Sequence, residues 1–244
     1  MPEISTQISS TIKGLNREFE LIAHNLANVS TPGFKRRYND FSKSLAEQQN
    51  SLSTDSSQNT SPSATAIDFS QGNFIQTGRE LDVALCGKGF FVIETPEGPL
   101  YTRNGMFRLN ENHLVVDLSG RIVAGQSGPI TIPPSVALSQ INITTNGSIT
   151  GPGVSIGQLK LVDFPDKEHK LTPVGLNCFK APQNLEPEAT ENIVVKQGFQ
   201  EGSNVQMMEE MVDMIMVSRL YEANMKFISR NGEMNKNLID VAMS

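Results

Sequence analysis

Two stretches at opposite ends of the chain repeat apolar residues at alternating gaps of three and four, which is the spacing of one helix face. The amino-terminal stripe consists of Ile8, Ile12, Leu15, Phe19, Ile22 and Leu26. The carboxyl-terminal stripe consists of Met211, Met214, Ser218, Tyr221, Met225 and Ile228, with Ile215 beside it. A single helix of this length is only marginally stable in water, so each stripe needs a partner. The pattern predicts long terminal helices that pair as a coiled coil, within one chain or between subunits.

Capping signals suggest where these helices begin and end. Ser203 with Gln206 three residues later fits a capping box, which predicts that the last helix starts near Ser203. The first helix is predicted to stop before Pro32, because proline disfavours helical geometry at the preceding residue, and Gly33 then supplies a permissive backbone.

The middle of the chain has a different period. From Ile67 onward, short apolar runs alternate with glycine-containing turns at a spacing of about ten residues, a pattern typical of an all-β domain. The stretch before it is rich in Ser, Thr, Asn and Gln and predicts a linker. The predicted fold is therefore α+β, with an all-β domain inserted between two helical arms. Its predicted parts are residues 1–34, the connecting segment 35–75, the β-domain 76–200 and the second arm 201–244.

Charge and hydropathy exclude several classes of function. The formal net charge of -6 argues against a nucleic-acid-binding surface, which would be basic. No apolar run is long enough to span a bilayer, and the first thirty residues do not have the pattern of a cleaved signal peptide. Cys86 and Cys178 are predicted to be buried small apolar residues, although the sequence leaves a disulfide between them open.

No residue pattern indicates catalysis, a metal or a cofactor. His24, His113 and His169 lack ligand-like spacing to other candidate ligands, and the Gly87–Gly89 turn lacks the remainder of a phosphate-binding loop. The paired acids Glu209 and Glu210 and the basic triplet at residues 35–37 are interpreted as solvated faces. The prediction is that the chain is not an enzyme and has no cofactor.

Three separate segments match, in order, the motifs of a known family. They are HNLANVSTPGFK at residues 24–35; TGRELDVA, GKGFF and YTRNGMF between residues 77 and 107; and EGSNV, EEM and RLYEAN between residues 201 and 224. Together they resemble the axial proteins of the bacterial flagellum. Chain length favours a rod protein with one inserted β-domain, most similar to the proximal rod protein, with the distal rod protein or a hook subunit as alternatives.

The resemblance implies a structural subunit of the flagellar rod. Such subunits are exported unfolded by the flagellar type III apparatus without a cleaved signal and assemble in the periplasm into a helical tube. The implied partners are copies of the chain, neighbouring rod and hook proteins and the export apparatus, with no nucleic acid and no membrane insertion.

The resemblance also implies roles for particular residues. The two apolar stripes become assembly interfaces in the inner layer of the tube. A hinge between the inner helix and the outer domain is predicted at Asn25, Asn28, Pro32, Gly33 and Phe34. On that view, Gly33→Val impairs motility while leaving the β-domain folded.

Overall fold

The protein consists of two compact units. A computed structural model describes residues 2–39, 65–190 and 193–243. The helical unit contains described residues 2–27, 37–39, 65–66 and 206–243, and the β unit contains 28–36, 67–190 and 193–205. Residues 40–64, which make up most of the predicted connecting segment, lie outside the described residues.

The helical unit contains two long helices, α1 (Pro2–Ala27) and α2 (Met207–Met243). The capping-box prediction is wrong, because α2 begins four residues after Ser203. The Ser203 hydroxyl instead accepts a hydrogen bond from the Val205 N–H at 3.2 Å, which closes a local turn before the helix. The first helical bond at this end runs from the Glu210 N–H to the Gln206 carbonyl at 3.1 Å.

The helices α1 and α2 pack against each other, and a small sheet of β1 (Arg37–Asn39) and β2 (Thr65–Ile67) packs beside α1. The mixed helix-and-strand class predicted from the sequence is confirmed. Coiled-coil geometry between the helices stays a prediction.

The β unit is built from short antiparallel strands. Their bounds are β3 Phe74–Gln76, β4 Val83–Cys86, β5 Phe90–Glu94, β6 Leu100–Thr102, β7 Arg108–Leu109, β8 Val115–Val116, β9 Ile122–Gly125, β10 Gly128–Pro129, β11 Asn142–Ile143, β12 Ser148–Gly151, β13 Val154–Gln158, β14 Leu161–Asp163, β15 Thr172–Gly175, β16 Cys178–Lys180, β17 Glu188–Ala189, β18 Val194–Gln197 and β19 Phe199–Glu201.

These strands form one large sheet and several smaller ones. The ten-stranded sheet has the order β15-β16-β6-β5-β9-β8-β7, with β10 on β9 and β14 between β5 and β17. A three-stranded sheet joins β11, β12 and β13, and two pairs join β18 to β4 and β19 to β3.

Strand β5 separates two hydrophobic cores. Successive side chains of a strand point to opposite faces, so Phe91 and Ile93 enter one core while Phe90 and Val92 enter the other. Both faces of β5 are buried, which explains why its sequence is a continuous apolar run rather than an alternating one.

Candidate functional site

The amino-terminal stripe is only partly covered within the helical unit. Ile22 is buried, and Ile12, Leu15 and Leu26 are half-buried. Phe19 is 43% exposed although it lies in the middle of the stripe. The side chain of Ile8 lies outside the described residues, so its predicted role stays a prediction.

The carboxyl-terminal stripe is largely exposed. Met214 is half-buried, but the other predicted interface residues are exposed: Met211, Ile215, Tyr221, Met225 and Ile228. Among the described side chains of α2, the large apolar one that is buried is Val217, which was not among the residues predicted from the sequence. Val217 lies beside the predicted stripe, between Met214 and Tyr221, so a wider apolar face would have included it.

Further apolar side chains of α2 are exposed beyond the stripe. Among them are Met208 at 73% and Ile215 at 54% exposure. Successive residues lie about 100° apart around a helix, so Ile215 points away from the side that buries Val217. The other exposed apolar residues of α2 are Met207, Val212, Met216, Leu220 and Phe227. The apolar surface of α2 therefore extends around much more of the helix than α1 covers.

The two helices leave an apolar cavity between them. Its volume is about 340 Å³, and Leu15 and Phe19 of α1 face Val217 and Tyr221 of α2 across it. The cavity brings together four residues of the two stripes, since Ser218 also lines it. They do not fill the space between the helices, and a side chain from outside the unit would fit there.

Asn25 joins three parts of the helical unit. Its side-chain amide donates to the Arg37 carbonyl at 2.7 Å and accepts from the Arg37 N–H at 2.9 Å. The same amide donates to the Glu210 carboxylate at 3.3 Å. Glu210 is fully buried, so its interpretation as part of a solvated face is wrong, whereas Glu209 is exposed as expected. Asn25 thus connects α1, β1 and α2.

The remaining hinge residues lie in the β unit. Asn28 accepts the Thr31 N–H at its carbonyl, and the Pro32 carbonyl accepts a hydrogen bond from the Asn177 side chain at 3.0 Å. Phe34 is buried. Pro32 and Phe34 are therefore part of the packed β unit, while a hinge role for the motif stays a prediction.

Gly33 is fixed by its surroundings. Its φ of +70° favours glycine, and its N–H donates to the Glu201 carbonyl at 2.8 Å. An added Cβ would meet the Asn104 backbone nitrogen at 2.5 Å. These contacts argue against the expectation that a Gly33 side chain leaves the β unit folded, because this position has no room for one.

Lys35, Arg103 and Glu201 form a buried charged cluster in the β unit. The Lys35 ammonium donates to the Glu201 carboxylate at 2.6 Å and to the Ser70 carbonyl at 2.6 Å. The Arg103 guanidinium lies 3.5 Å from the other carboxylate oxygen and donates to the Gly87 carbonyl at 2.8 Å. Lys35 is only 2% exposed, so its interpretation as part of a solvated face is wrong.

Burial dominates the electrostatics of this cluster. It lowers the pKa of Lys35 below its ordinary value, and the Glu201 carboxylate opposes the shift. It also lowers the pKa of Arg103, where Glu201 again opposes it. Glu201 is therefore the carboxylate that favours the charged form of both cations.

The cluster unites the three sequence motifs. Lys35 ends the first motif, Arg103 belongs to the middle one and Glu201 begins the last. Gly105 also joins two matched stretches of the chain. The Val83 N–H donates to the Gly105 carbonyl at 3.0 Å, and an added Cβ at Gly105 would overlap the Val83 carbonyl. The motifs are recognisable in the sequence, but no residue pattern indicates that they contact one another.

The described residues were compared with the metal, membrane and thiol features considered from the sequence. Within residues 2–39, 65–190 and 193–243, no three His, Cys, Asp or Glu side chains group in a way that could hold a metal ion. In the same ranges, no helix combines the length and apolarity needed to cross a bilayer. Cys86 is half-buried and Cys178 is buried, and both are free thiols. Burial raises the pKa of the Cys178 thiol, so this residue does not have the lowered pKa of a reactive cysteine.

Comparisons with known proteins agree with the motifs. Residues 196–241 match the model described as "Flagellar basal body rod FlgEFG protein C-terminal", and residues 84–151 match "Flagellar hook protein FlgE/F/G D1 domain". The chain is 35% identical to flagellar basal-body rod protein FlgG of Buchnera aphidicola subsp. Schizaphis graminum, over 89% of this chain and 91% of that protein. It is 33% identical to flagellar basal-body rod protein FlgF of Salmonella typhimurium, over 93% of this chain and 92% of that protein.

A third relative extends the same result. The chain is 34% identical to flagellar basal-body rod protein FlgG of Agrobacterium fabrum, over 88% of this chain and 90% of that protein. These matches cover almost the full length of both partners. The chain therefore belongs to the flagellar basal-body rod protein family.

Proposed function

We propose that this chain is a structural subunit of the flagellar basal-body rod and polymerises through its terminal helices into a helical tube that transmits torque. The observation that carries the proposal is the exposed apolar surface of α2, which includes Met208, Ile215 and Phe227. Exposed apolar side chains on several sides of a helix in water favour neighbours that cover them. One partner helix covers the Val217 side, so the remaining sides require other subunits.

The two stripes have two roles in this proposal, one within a subunit and one between subunits. Pairing of α1 with α2 as a coiled coil uses Ile22 and Val217 within one subunit. The cavity beside Phe19 and Tyr221 receives a side chain from a neighbouring subunit. The methionines of α2 suit such contacts, because their flexible side chains adapt to neighbours in slightly different positions.

The position of the subunit along the rod stays a prediction. Relatives named FlgG and FlgF both match over about nine-tenths of the chain, so the preference for the proximal rod protein rests on the sequence interpretation. The distal rod protein and a hook subunit remain the alternatives. A non-structural binding protein or an enzyme built on the β-domain is the alternative of another class, and a convergent polar cleft within residues 76–200 would favour it. The matched family descriptions name rod and hook proteins, which supports a structural role without catalysis.

Export and location follow from the same proposal. The subunit leaves the cytoplasm unfolded through the flagellar type III apparatus, without a cleaved signal, and assembles in the periplasm beside other rod and hook proteins. The net charge of -6 supports a role without nucleic acid.

Ile215→Asp is expected to abolish polymerisation and swimming while leaving the β unit of the monomer folded. The side chain is exposed in the single subunit, so the change is tolerated there, but a buried unpaired carboxylate in the polymer is strongly unfavourable. Complementation of a deletion strain on soft agar measures swimming, and circular dichroism checks the purified monomer. Ser127→Asp is the control, because it adds the same charge at an exposed turn of the β unit, outside the terminal helices. Normal swimming with Ile215→Asp would contradict the proposed interface.

Helix content is expected to rise when the subunit polymerises. The helices α1 and α2 contain 26 and 37 residues, and α2 leaves much of its apolar surface uncovered in a single subunit. We therefore expect both helices to be largely unfolded in the monomer and to order fully when neighbours bury them. Far-ultraviolet circular dichroism of monomer and polymer measures the difference. Equal helix content in the two forms would rule out ordering on assembly.

A further inference from the structure

The last segment of the β unit, residues 193–205, lies against the first segment of the same unit. The Gly33 N–H donates to the Glu201 carbonyl at 2.8 Å, and the Arg36 N–H donates to the Asn204 side chain at 2.7 Å. These hydrogen bonds join the two segments at opposite ends of the sequence of the β unit. They form only after the intervening chain has been made and folded back.

The same segment completes two strand pairs and part of a core. Strand β18 pairs with β4, and β19 pairs with β3. Ile193 and Val195 are buried in the core that contains Phe91 and Ile93. Without residues 193–205, β3 and β4 would lose these backbone partners and the core would lose two of its apolar side chains.

The buried charges of the β unit also come partly from the last segment and partly from the chain that precedes it. Lys35 and Arg103 belong to the earlier part, and the carboxylate that contacts both belongs to Glu201 in the last segment. A β unit that packed before Glu201 arrived would bury two cations without their shared carboxylate. Burial of unpaired charge is strongly unfavourable, so the incomplete chain would not pack in this way.

We infer that residues 193–205 are a closing segment and that the β unit does not fold without it. Glu201 is the latch of this segment, by which we mean the carboxylate that neutralises Lys35 and Arg103. In a chain that emerges amino end first, the β unit then stays unfolded until residues 193–205 are available. This inference goes beyond the proposed rod function, because it concerns the order in which the β unit gains its contacts.

Refolding of the full-length chain followed by pulse-labelled hydrogen exchange tests the inference. The amides of β5 and β6 report the centre of the β unit, and those of β18 and β19 report the closing segment. The expected result is that all four strands gain protection with one rate constant. Earlier protection of β5 and β6, before β18 and β19, would overturn the inference. Refolding of dilute monomer does not depend on polymerisation, so failure here is distinguishable from failure of the proposed function.

Glu201→Gln distinguishes a latch from a local contact. The expected result is that protection of β5, β6 and β19 slows by the same factor, because the whole unit waits for the latch. Slowing confined to β19 would overturn the role of Glu201. Glu188→Gln, an exposed position in β17, is the matched control and should leave all rates unchanged. If Glu201→Gln does not fold, the wild-type rates decide the inference.

Discussion

Replacing Glu201 with glutamine is expected to lower the free energy of unfolding of the β unit by about 3–5 kcal/mol, the usual cost of removing one partner from a buried ion pair. The Lys35 and Glu201 side chains are both fully buried, and Arg103 approaches the same carboxylate at 3.5 Å. Glutamine keeps the size and can still accept hydrogen bonds. The lost free energy therefore measures the cost of burying Lys35 and Arg103 without the negative charge of Glu201.

A double-mutant cycle shows whether the cost comes from this cluster. Lys35→Met removes one cation and leaves Glu201 paired with Arg103, so it should cost less than Glu201→Gln. The combined variant should cost less than the sum by about 1–3 kcal/mol, because the two residues share one interaction. Additive losses would contradict the coupling. Glu188→Gln makes the same chemical change at an exposed strand position and should change the free energy of unfolding by less than about 0.5 kcal/mol.

Tyrosine fluorescence reports the β unit alone once the two tyrosines of the helical unit have been replaced. The chain has three tyrosines and no tryptophan, and Tyr101 is buried in the β unit while Tyr38 and Tyr221 belong to the helical unit. In a Tyr38→Phe, Tyr221→Phe background, denaturant titration followed at Tyr101 gives the unfolding midpoint and slope of the β unit. An unchanged slope with a lower midpoint identifies a change in stability.

Gly33→Ala is expected to destabilise the β unit by about 2–5 kcal/mol, which combines left-handed strain with overpacking. The backbone φ of +70° is unfavourable for alanine, and the new Cβ would lie 2.5 Å from the Asn104 nitrogen and 2.7 Å from its Cα. Neither contact can be relieved by a side-chain rotation, because the neighbouring atoms are backbone.

Gly78→Ala separates the two contributions. Gly78 has nearly the same φ, +72°, but an added Cβ there has no atom within 4 Å. Its expected cost is about 1–2 kcal/mol, from backbone strain alone. The excess loss at Gly33, measured by the same Tyr101 titration, gives the packing contribution. Equal losses for the two variants would show that the approach of Gly33 to Asn104 does not matter.

Periodicity was enough to predict the mixed fold and the two helices. The three-and-four spacing from Ile12 to Leu26 predicts α1, and the glycine-separated apolar runs predict a β unit. The start of α2 was not predictable from Ser203, since a hydroxyl that can cap a helix can equally close a turn, as it does with Val205.

Contacts between distant segments could not be read from the sequence. Lys35 looks like the first residue of a solvated basic triplet, and Glu210 like one of a pair of surface acids. Each is buried only because a partner far away in the sequence, Glu201 for Lys35 and Asn25 for Glu210, reaches it after folding. A charged side chain in one sequence carries no sign of its partner, which is why the motif residues were found but their pairing was missed.

The most direct test of the central claim is electron cryomicroscopy of intact basal bodies that contain this subunit. We expect it within the rod, with the surface of α2 that carries Met208, Ile215 and Phe227 covered by helices of neighbouring subunits. Absence of the subunit from the rod, or a rod in which this surface of α2 faces solvent, would contradict assembly through the terminal helices.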